Sequence, residues 1–268
     1  MAFLTPDNIR TEYGLVIKEK ILPARLKANR KLSNGTGKVE YITIHNTEDI
    51  NEAAGTNDAE QYARATHNGN MGGVAVHYYI DETDCWQTLK DDEVGYHAAD
   101  GAYGPGNNTS IAIEIIMDGS GSASDKGAED RGAKLAAILL HKHGLGIDRL
   151  TTHQRWYSKK TCPIYILPHW STFKKKVETY LAEIKGTATT PTGKTLYRVQ
   201  VGAFKSKSNA DAYAKKAESA GFKGAFVTQS SNGLYKVQVG AFSNKANAEF
   251  YVKKAEEAGF KGAFIVEK

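Results

Sequence analysis

The sequence predicts an α/β protein in two parts: a larger domain with a central mixed sheet flanked by helices, then a small ferredoxin-like βαββαβ domain. Three observations predict it. Short apolar runs of strand length alternate with segments of helical period up to about residue 185. Residues 186–194, Gly-Thr-Ala-Thr-Thr-Pro-Thr-Gly-Lys, have the small, polar composition of a linker. Beyond them the chain repeats itself at an offset of 38 residues. The expected division is a domain over 1–185, a flexible linker over 186–194 and a second domain over 195–268.

In chain order, residues 1–38 offer only short extended pieces, Leu15-Val16-Ile17 and Ile21-Leu22-Pro23, and a loop at Ser33–Gly37. Tyr41–Thr47 reads as a buried strand, with Tyr41, Thr43 and His45 on one face and Ile42 and Ile44 on the other. A helix is expected over 58–67, stopped by Asn68-Gly69-Asn70, and a strand over 74–80 that turns through Asp81–Asp84 into Cys85–Leu89 as a hairpin. The loop-rich stretch from Gly95 to Asn108 is too long for a simple connector, and such loops often carry function. Ser110–Ile116 is a third core strand, with Glu114 an isolated carboxylate among apolar neighbours. A helix over 127–143, a short strand ending at His153, a loop at Lys159–Pro163 and a helix over 169–185 complete the domain.

In the repeat, Leu196–Phe204 recurs as Leu234–Phe242, and Ala220–Phe226 as Ala258–Phe264. Each unit is strand, helix, strand. One unit alone cannot bury both its helix and its strand face, so the two make a single domain. With Tyr197, Val199, Val201, Tyr235, Val237 and Val239 facing the helices, the opposite sheet face carries Arg198, Gln200, Lys236 and Gln238. That face is expected to be a flat polar platform for a polymer. The alternative is an ordinary solvated sheet face.

Composition narrows the function. Of 268 residues, 41% are hydrophobic and 24% charged, ordinary for a globular protein. No apolar run approaches the roughly 20 residues of a membrane span. Residues 1–14 show no apolar signal core, so synthesis in the cytoplasm is expected. Two cysteines, Cys85 and Cys162, make no disulfide framework. From Gly186 onward there are 13 Lys+Arg and 6 Asp+Glu, a net +7, against −2 for the remainder. A basic tail on a nearly neutral body points to an anionic or sugar-rich partner.

Three side chains end core elements with metal-ligand chemistry: His45, His153 and Cys162. Hydrolytic zinc sites use three such protein ligands plus water. The spacing His153-x8-Cys162 is not diagnostic, and no His-Glu-x-x-His occurs. A satisfied core His45, a packing His153 and a structural thiol remain open at this level. So does a nucleophilic Cys162 with His153 as its base.

Six ordered motifs then carry a resemblance: Tyr-Ile-Thr-Ile-His-Asn-Thr at 41–47, Val-His-Tyr-Tyr-Ile-Asp at 76–81, Gly-Tyr-His-Ala at 95–98, Asn-Asn-Thr-Ser-Ile-Ala-Ile-Glu-Ile at 107–115, Thr-His-Gln-Arg-Trp at 152–156 and Lys-Thr-Cys-Pro at 160–163. Over about 35–182 the chain resembles the zinc-dependent N-acetylmuramoyl-L-alanine amidases of type 2, which include phage endolysins, bacterial autolysins and peptidoglycan recognition proteins. Over about 195–268 its Val-Gln-Val-Gly-Ala-Phe strands resemble SPOR peptidoglycan-binding modules.

The resemblance implies Zn²⁺ as cofactor, bound by His45, His153 and Cys162. It implies Glu114 in proton transfer and Lys160 facing the scissile carbonyl. His97 falls at the family's Trp-His-Ala position, with Tyr96 in place of Trp, and is expected with Tyr96 and Asn46 to contact substrate. Ala112 replaces a usual glycine, and Val76 stands where some members have a catalytic tyrosine, which leaves proton transfer to Glu114. The implied reaction is hydrolysis of the amide between N-acetylmuramic acid and L-alanine in peptidoglycan. Arg198, Gln200, Lys236 and Gln238 would hold the glycan. The expected protein is a monomer with no nucleic-acid or membrane partner, reaching the wall after lysis as an endolysin or autolysin does. A non-catalytic receptor is the rival; receptors of this family often lack the third ligand, which is present here as Cys162. His77 and Cys85 are read as packing residues, and His67, His141 and His143 as helix-end residues.

Overall fold

The computed structural model describes residues 4–48, 58–186, 197–220, 222, 225–230, 233–242 and 245–267. The chain divides into two compact units, Met1–Thr189 and Thr190–Lys268. The expected linker, beyond Gly186, lies outside the described residues. Among the described residues no helix is long and apolar enough to cross a membrane.

In the first unit, strands β1 (Asn8–Glu12), β2 (Leu15–Glu19), β3 (Tyr41–Glu48), β4 (Tyr78–Ile80), β5 (Cys85–Gln87), β6 (Ser110–Met117) and β7 (Leu150–Thr152) form one mixed sheet in the order β1-β2-β5-β4-β6-β3-β7. Helices α1 (Ala59–Asn68), α2 (Pro105–Thr109) and α3 (Ala123–Lys142) lie between them in sequence, and α4 (His153–Trp156) and α5 (Trp170–Ile184) follow β7. The central strands β3, β6, β7 and β4 are parallel, with β3 between β6 and β7. Strands covered on both faces are mostly apolar, as parallel sheets require, and β3 and β6 depart from this at His45 and Glu114.

One face of the sheet buries Ile42, Ile44, Ile111, Ile113 and Ile115 against Leu135, Ile138 and Leu139 of α3 and Phe173 and Val177 of α5. Gly132 lets α3 come close, since a Cβ there would lie 2.3 Å from Ile115 Cδ1. The opposite face packs Tyr79, Ala112 and Ile116 against Ala59 and Ala63 of α1. By parity that second face also carries His45 and Glu114.

Several expectations shift. The hairpin β1–β2 was not anticipated; Tyr13 and Gly14, at φ 47° and 79°, make its two-residue turn without the usual Asn-Gly signal. The strand expected over 74–80 enters the sheet only at Tyr78, because Ala75 and His77 bond instead to Tyr96 and Thr88 outside the strand ladder. Helix α3 begins four residues before Gly127, where Ser122 caps it by accepting from the Asp125 N–H at 3.2 Å. His153 opens α4 rather than closing a strand.

The second unit has β8 (Tyr197–Phe204), α6 (Lys207–Ser219), β9 (Phe226–Gln229), β10 (Tyr235–Phe242), α7 (Lys245–Glu257) and β11 (Phe264–Glu267). Its antiparallel sheet runs β11-β8-β10-β9, the ferredoxin-like order expected from the repeat. Val199, Val201, Val237 and Val239 share one core with Ala210, Ala214, Phe222 and Phe260.

An ion cluster centred on the buried Asp91 ties the end of α3 to the sheet, on the face opposite His45 and Glu114. The Asp91 carboxylate accepts from the Tyr78 hydroxyl at 2.6 Å and Gln87 Nε2 at 3.0 Å, and pairs with Lys142 at 2.8 Å and His143 at 3.1 Å. Burial acts to raise its pKa, but the hydrogen bonds from His143, Lys142 and Tyr78 prevail and hold the carboxyl well below the usual range. A depressed carboxyl stabilises the fold fully above its unfolded pKa of about 4 and loses that contribution as the pH falls further. Asp91→Ala leaves the buried Tyr78 hydroxyl without its acceptor and is therefore expected to cost about 1–3 kcal/mol near neutral pH. In urea unfolding the gap to the parent protein should narrow as the pH is lowered from about 5 to 2.

Candidate metal centre

The site forms toward the carboxyl ends of β3 and β6 and just beyond the end of β7, near the usual ligand position in parallel sheets. In the β3–β6 ladder His45 is the register partner of Glu114, so the two side chains stand side by side. His153 follows β7, which pairs with β3 on its other side. Cys162 arrives on the loop after α4 and is held near His153 by the Gln154 N–H donating to the Cys162 carbonyl at 3.0 Å.

His45, His153 and Cys162 bring one ligand atom each within 4.8 Å of one another. Cys162 Sγ is 3.7 Å from His45 Nδ1. Two ligands on a tetrahedral zinc, one nitrogen and one sulfur, would stand about 3.6 Å apart from ordinary bond lengths. His153 Nε2 is buried and makes no hydrogen bond among the described residues, while its ring bonds to the Ala98 backbone. An orphaned buried nitrogen facing a thiol and a second imidazole is a site short of a cation. The trio fits a metal.

Electrostatics agree. Burial, then the charges of His97, His153 and Lys160, lowers the His45 pKa well below its ordinary value. Burial lowers that of His153 too. Both rings are thus neutral near pH 7, the state a metal ligand requires.

Glu114 is only 16% exposed, with Oε1 3.8 Å from His45 Nδ1. Its Oε2 accepts from the Thr47 hydroxyl at 2.6 Å. Burial raises the Glu114 pKa to about 7, against the opposing Thr47 hydrogen bond and the Lys160 charge. Lys160 itself is exposed at the mouth. Its charge acts on His45, His153 and Glu114 alike.

The three expected substrate contacts each have neighbours within the protein. Asn46 Nδ2 donates to the Ile115 carbonyl at 3.1 Å and its Oδ1 accepts from the Tyr165 N–H at 3.1 Å, so its amide ties β3 to the loop after Cys162. His97 is 7% exposed and faces His45, with its Nδ1 3.1 Å from His45 Nε2. Tyr96 packs against the main core and lines a cleft with Arg25, Leu26 and Met71. In all three, neighbours brought by other elements offer these side chains protein partners that sequence position does not show. Sequence reasoning also passed over Thr47, although it shares the face of His45 by period two.

In the second unit the outer sheet face is not a flat polar platform. Register aligns Phe264, Gln200, Gln238 and Phe226 in one row across four strands. The two phenylalanines are 49% and 42% exposed, and the glutamines lie recessed between them at 4% and 5%. Both glutamine Oε1 atoms are buried without a hydrogen bond among the described residues. Arg198 and Lys236 are half-buried on the adjoining rows. Phe226 and Phe264 were missed because each sits in a short strand read only as part of a repeat.

Residues 35–165 match the family model for N-acetylmuramoyl-L-alanine amidase. The catalytic domain of XlyA matches over 98% of its length and 60% of this chain, at 30% identity and a TM-score of 0.52. A mutant endolysin from Bacillus subtilis matches over 99% of its length and 61% of this chain, at 31% identity and a TM-score of 0.53. The chain belongs to the N-acetylmuramoyl-L-alanine amidase family. Among amidases of Bacillus subtilis (strain 168), CwlA is 34% identical over 186 residues, covering 64% of this chain and 65% of CwlA. The chain thus spans less than two thirds of the length of the curated amidases it matches. Residues 172–229 and 231–268 match the SPOR domain; the first stretch reaches back into α5, ahead of the division between the two compact units.

The Thr47 hydrogen bond restrains the Glu114 pKa. Thr47→Val is therefore expected to move it upward from about 7 in the metal-free protein, read from the pH dependence of its carboxyl ¹³C shift. An unchanged midpoint would mean that Thr47 does not restrain the carboxylate.

Proposed function

We propose that this chain is a zinc-dependent amidase that cleaves the bond between the lactyl group of N-acetylmuramic acid and L-alanine in peptidoglycan. The observation that carries the proposal is the convergence of His45, His153 and Cys162 beside a carboxylate, Glu114, with a raised pKa. Two imidazoles and one thiolate, with a fourth position left for water, form a donor set that zinc takes in hydrolytic sites. When bound, it supplies Lewis acidity and makes water available as a nucleophile near neutral pH.

The chain's own residues do the rest. Glu114 Oε2 is occupied by Thr47, which leaves Oε1 to take a proton from the attacking water. A carboxyl with a pKa of about 7 holds that proton and releases it to the leaving alanine nitrogen. The lactyl carbonyl gains oxygen, the C–N bond breaks, and the products are a lactyl carboxylate and a peptide with a free N-terminal alanine. Lys160 at the mouth stabilises the negative charge that develops on the carbonyl oxygen.

The second unit would hold the wall. A row of two exposed aromatic rings flanking two recessed amide oxygens combines apolar stacking surface with a few fixed polar groups, as carbohydrate sites require. Arg198 and Lys236, on the adjoining rows, add positive charge beside it. The protein is expected to act on the wall as a monomer after release from the cell.

Chelation should abolish release of wall material and Zn²⁺ should restore it; mass spectrometry should find stem peptides beginning with alanine. Cleaved glycan bonds or new peptide termini elsewhere would sink the assignment. Glu114→Gln should lower kcat by roughly 10²–10⁴ while zinc content is retained; a nucleophilic Cys162 or a receptor predicts no such dependence. Phe226→Ala with Phe264→Ala should weaken pull-down on insoluble wall and leave turnover of soluble muropeptides unaltered.

A further inference from the structure

Two residues of one loop grip both histidines of the candidate centre from behind. The His153 ring bonds to the Ala98 backbone, and His45 Nε2 lies against His97 Nδ1. The loop is itself clasped by α2. Asn107 Oδ1 accepts from the His97 and Ala98 N–H groups, each at 2.8 Å, and its Nδ2 donates to the Gly101 carbonyl at 3.0 Å. Asp100 Oδ2 accepts the Gly106 N–H at 2.6 Å. Asn107 is buried, so no water competes for these bonds.

Behind His97 runs a chain of hydroxyls whose directions are forced. Trp156 Nε1–H can only donate, and it donates to Thr43 Oγ1 at 2.8 Å. Thr43 then donates to Ser110 Oγ at 2.9 Å. Ser110 donates to the Gly106 carbonyl at 2.7 Å, which can only accept. Toward His97 Nε2, 3.4 Å away, the Ser110 oxygen has only a lone pair left. A neutral His97 therefore carries its hydrogen on Nε2 and presents the Nδ1 lone pair to His45. His45 must donate from Nε2, and its own lone pair is left on Nδ1, the nitrogen that faces Cys162.

We infer that His97 is a positioning residue, which transmits the Trp156–Thr43–Ser110 hydrogen-bond order to His45 and fixes the tautomer that can take the metal, with Asn107 holding the loop that carries it. The inference rests on the reading of His45, His153 and Cys162 as the metal site, and it adds that the site is arranged before the ion arrives. His97 then does its work without touching substrate. Partners that fix a ligand's tautomer typically change metal affinity by roughly 10–100-fold when removed.

The test uses the full chain. In the metal-free protein, long-range ¹H–¹⁵N correlation of the histidine rings should show His45 with hydrogen on Nε2 and His97 with hydrogen on Nε2. Hydrogen on His45 Nδ1 would overturn the inference with no variant needed. Chelator competition should show zinc affinity reduced roughly 10–100-fold in His97→Phe and partly restored in His97→Gln, whose amide can still accept from His45. Unchanged affinity in a folded His97→Phe would overturn it while leaving the metal site standing. A parent protein that binds no zinc would refute the site itself, and with it this role.

Discussion

The parallel pairing of β3 with β6 is the constraint on which the rest depends. It sets His45 beside Glu114 in register, and a slip of one residue would turn one of them into the isoleucine core. The slip is prevented from the far face. Ile42 and Ile44 interleave with Ile111, Ile113 and Ile115 under α3 and α5, so the apolar layer specifies the alignment of the polar one. The placement of His45 beside Glu114 is thus held by burial of aliphatic side chains on the far face.

That arrangement explains how one carboxylate can be raised and still useful. Glu114 sits on a strand whose apolar neighbours push its pKa upward, yet Thr47 from the adjacent strand and Lys160 from the mouth restrain it near neutrality. Burial acts to favour the protonated acid, and the Thr47 hydrogen bond and the Lys160 charge act to favour the carboxylate. The balance comes from three separate elements, β3, β6 and the loop before Cys162.

Much of this was legible in the sequence, for identifiable reasons. Period-two patterning gave the face of His45 and of Glu114 correctly, and the 38-residue repeat led to the β11-β8-β10-β9 sheet. Helix α5 was readable from Phe173, Val177 and Leu181 at helical spacing. What patterning could not supply was long-range partnership. That Asn46 bonds to Ile115 and Tyr165, and that His97 meets His45, is not written in the motifs that hold these two residues. Gln200 and Gln238 alternate as solvent-facing residues should, yet the cross-strand phenylalanines bury them, and strand register is not written in local sequence.

The central claim is that two imidazoles and one thiolate of this chain bind a zinc ion. X-ray absorption at the zinc edge of the purified protein, loaded with one equivalent, tests it most directly. The expected nearest neighbours are two nitrogens and one oxygen at about 2.0–2.1 Å and one sulfur at about 2.3 Å, with the sulfur lost in Cys162→Ala. A zinc environment with no sulfur in the parent protein, or one unchanged by that substitution, would contradict it.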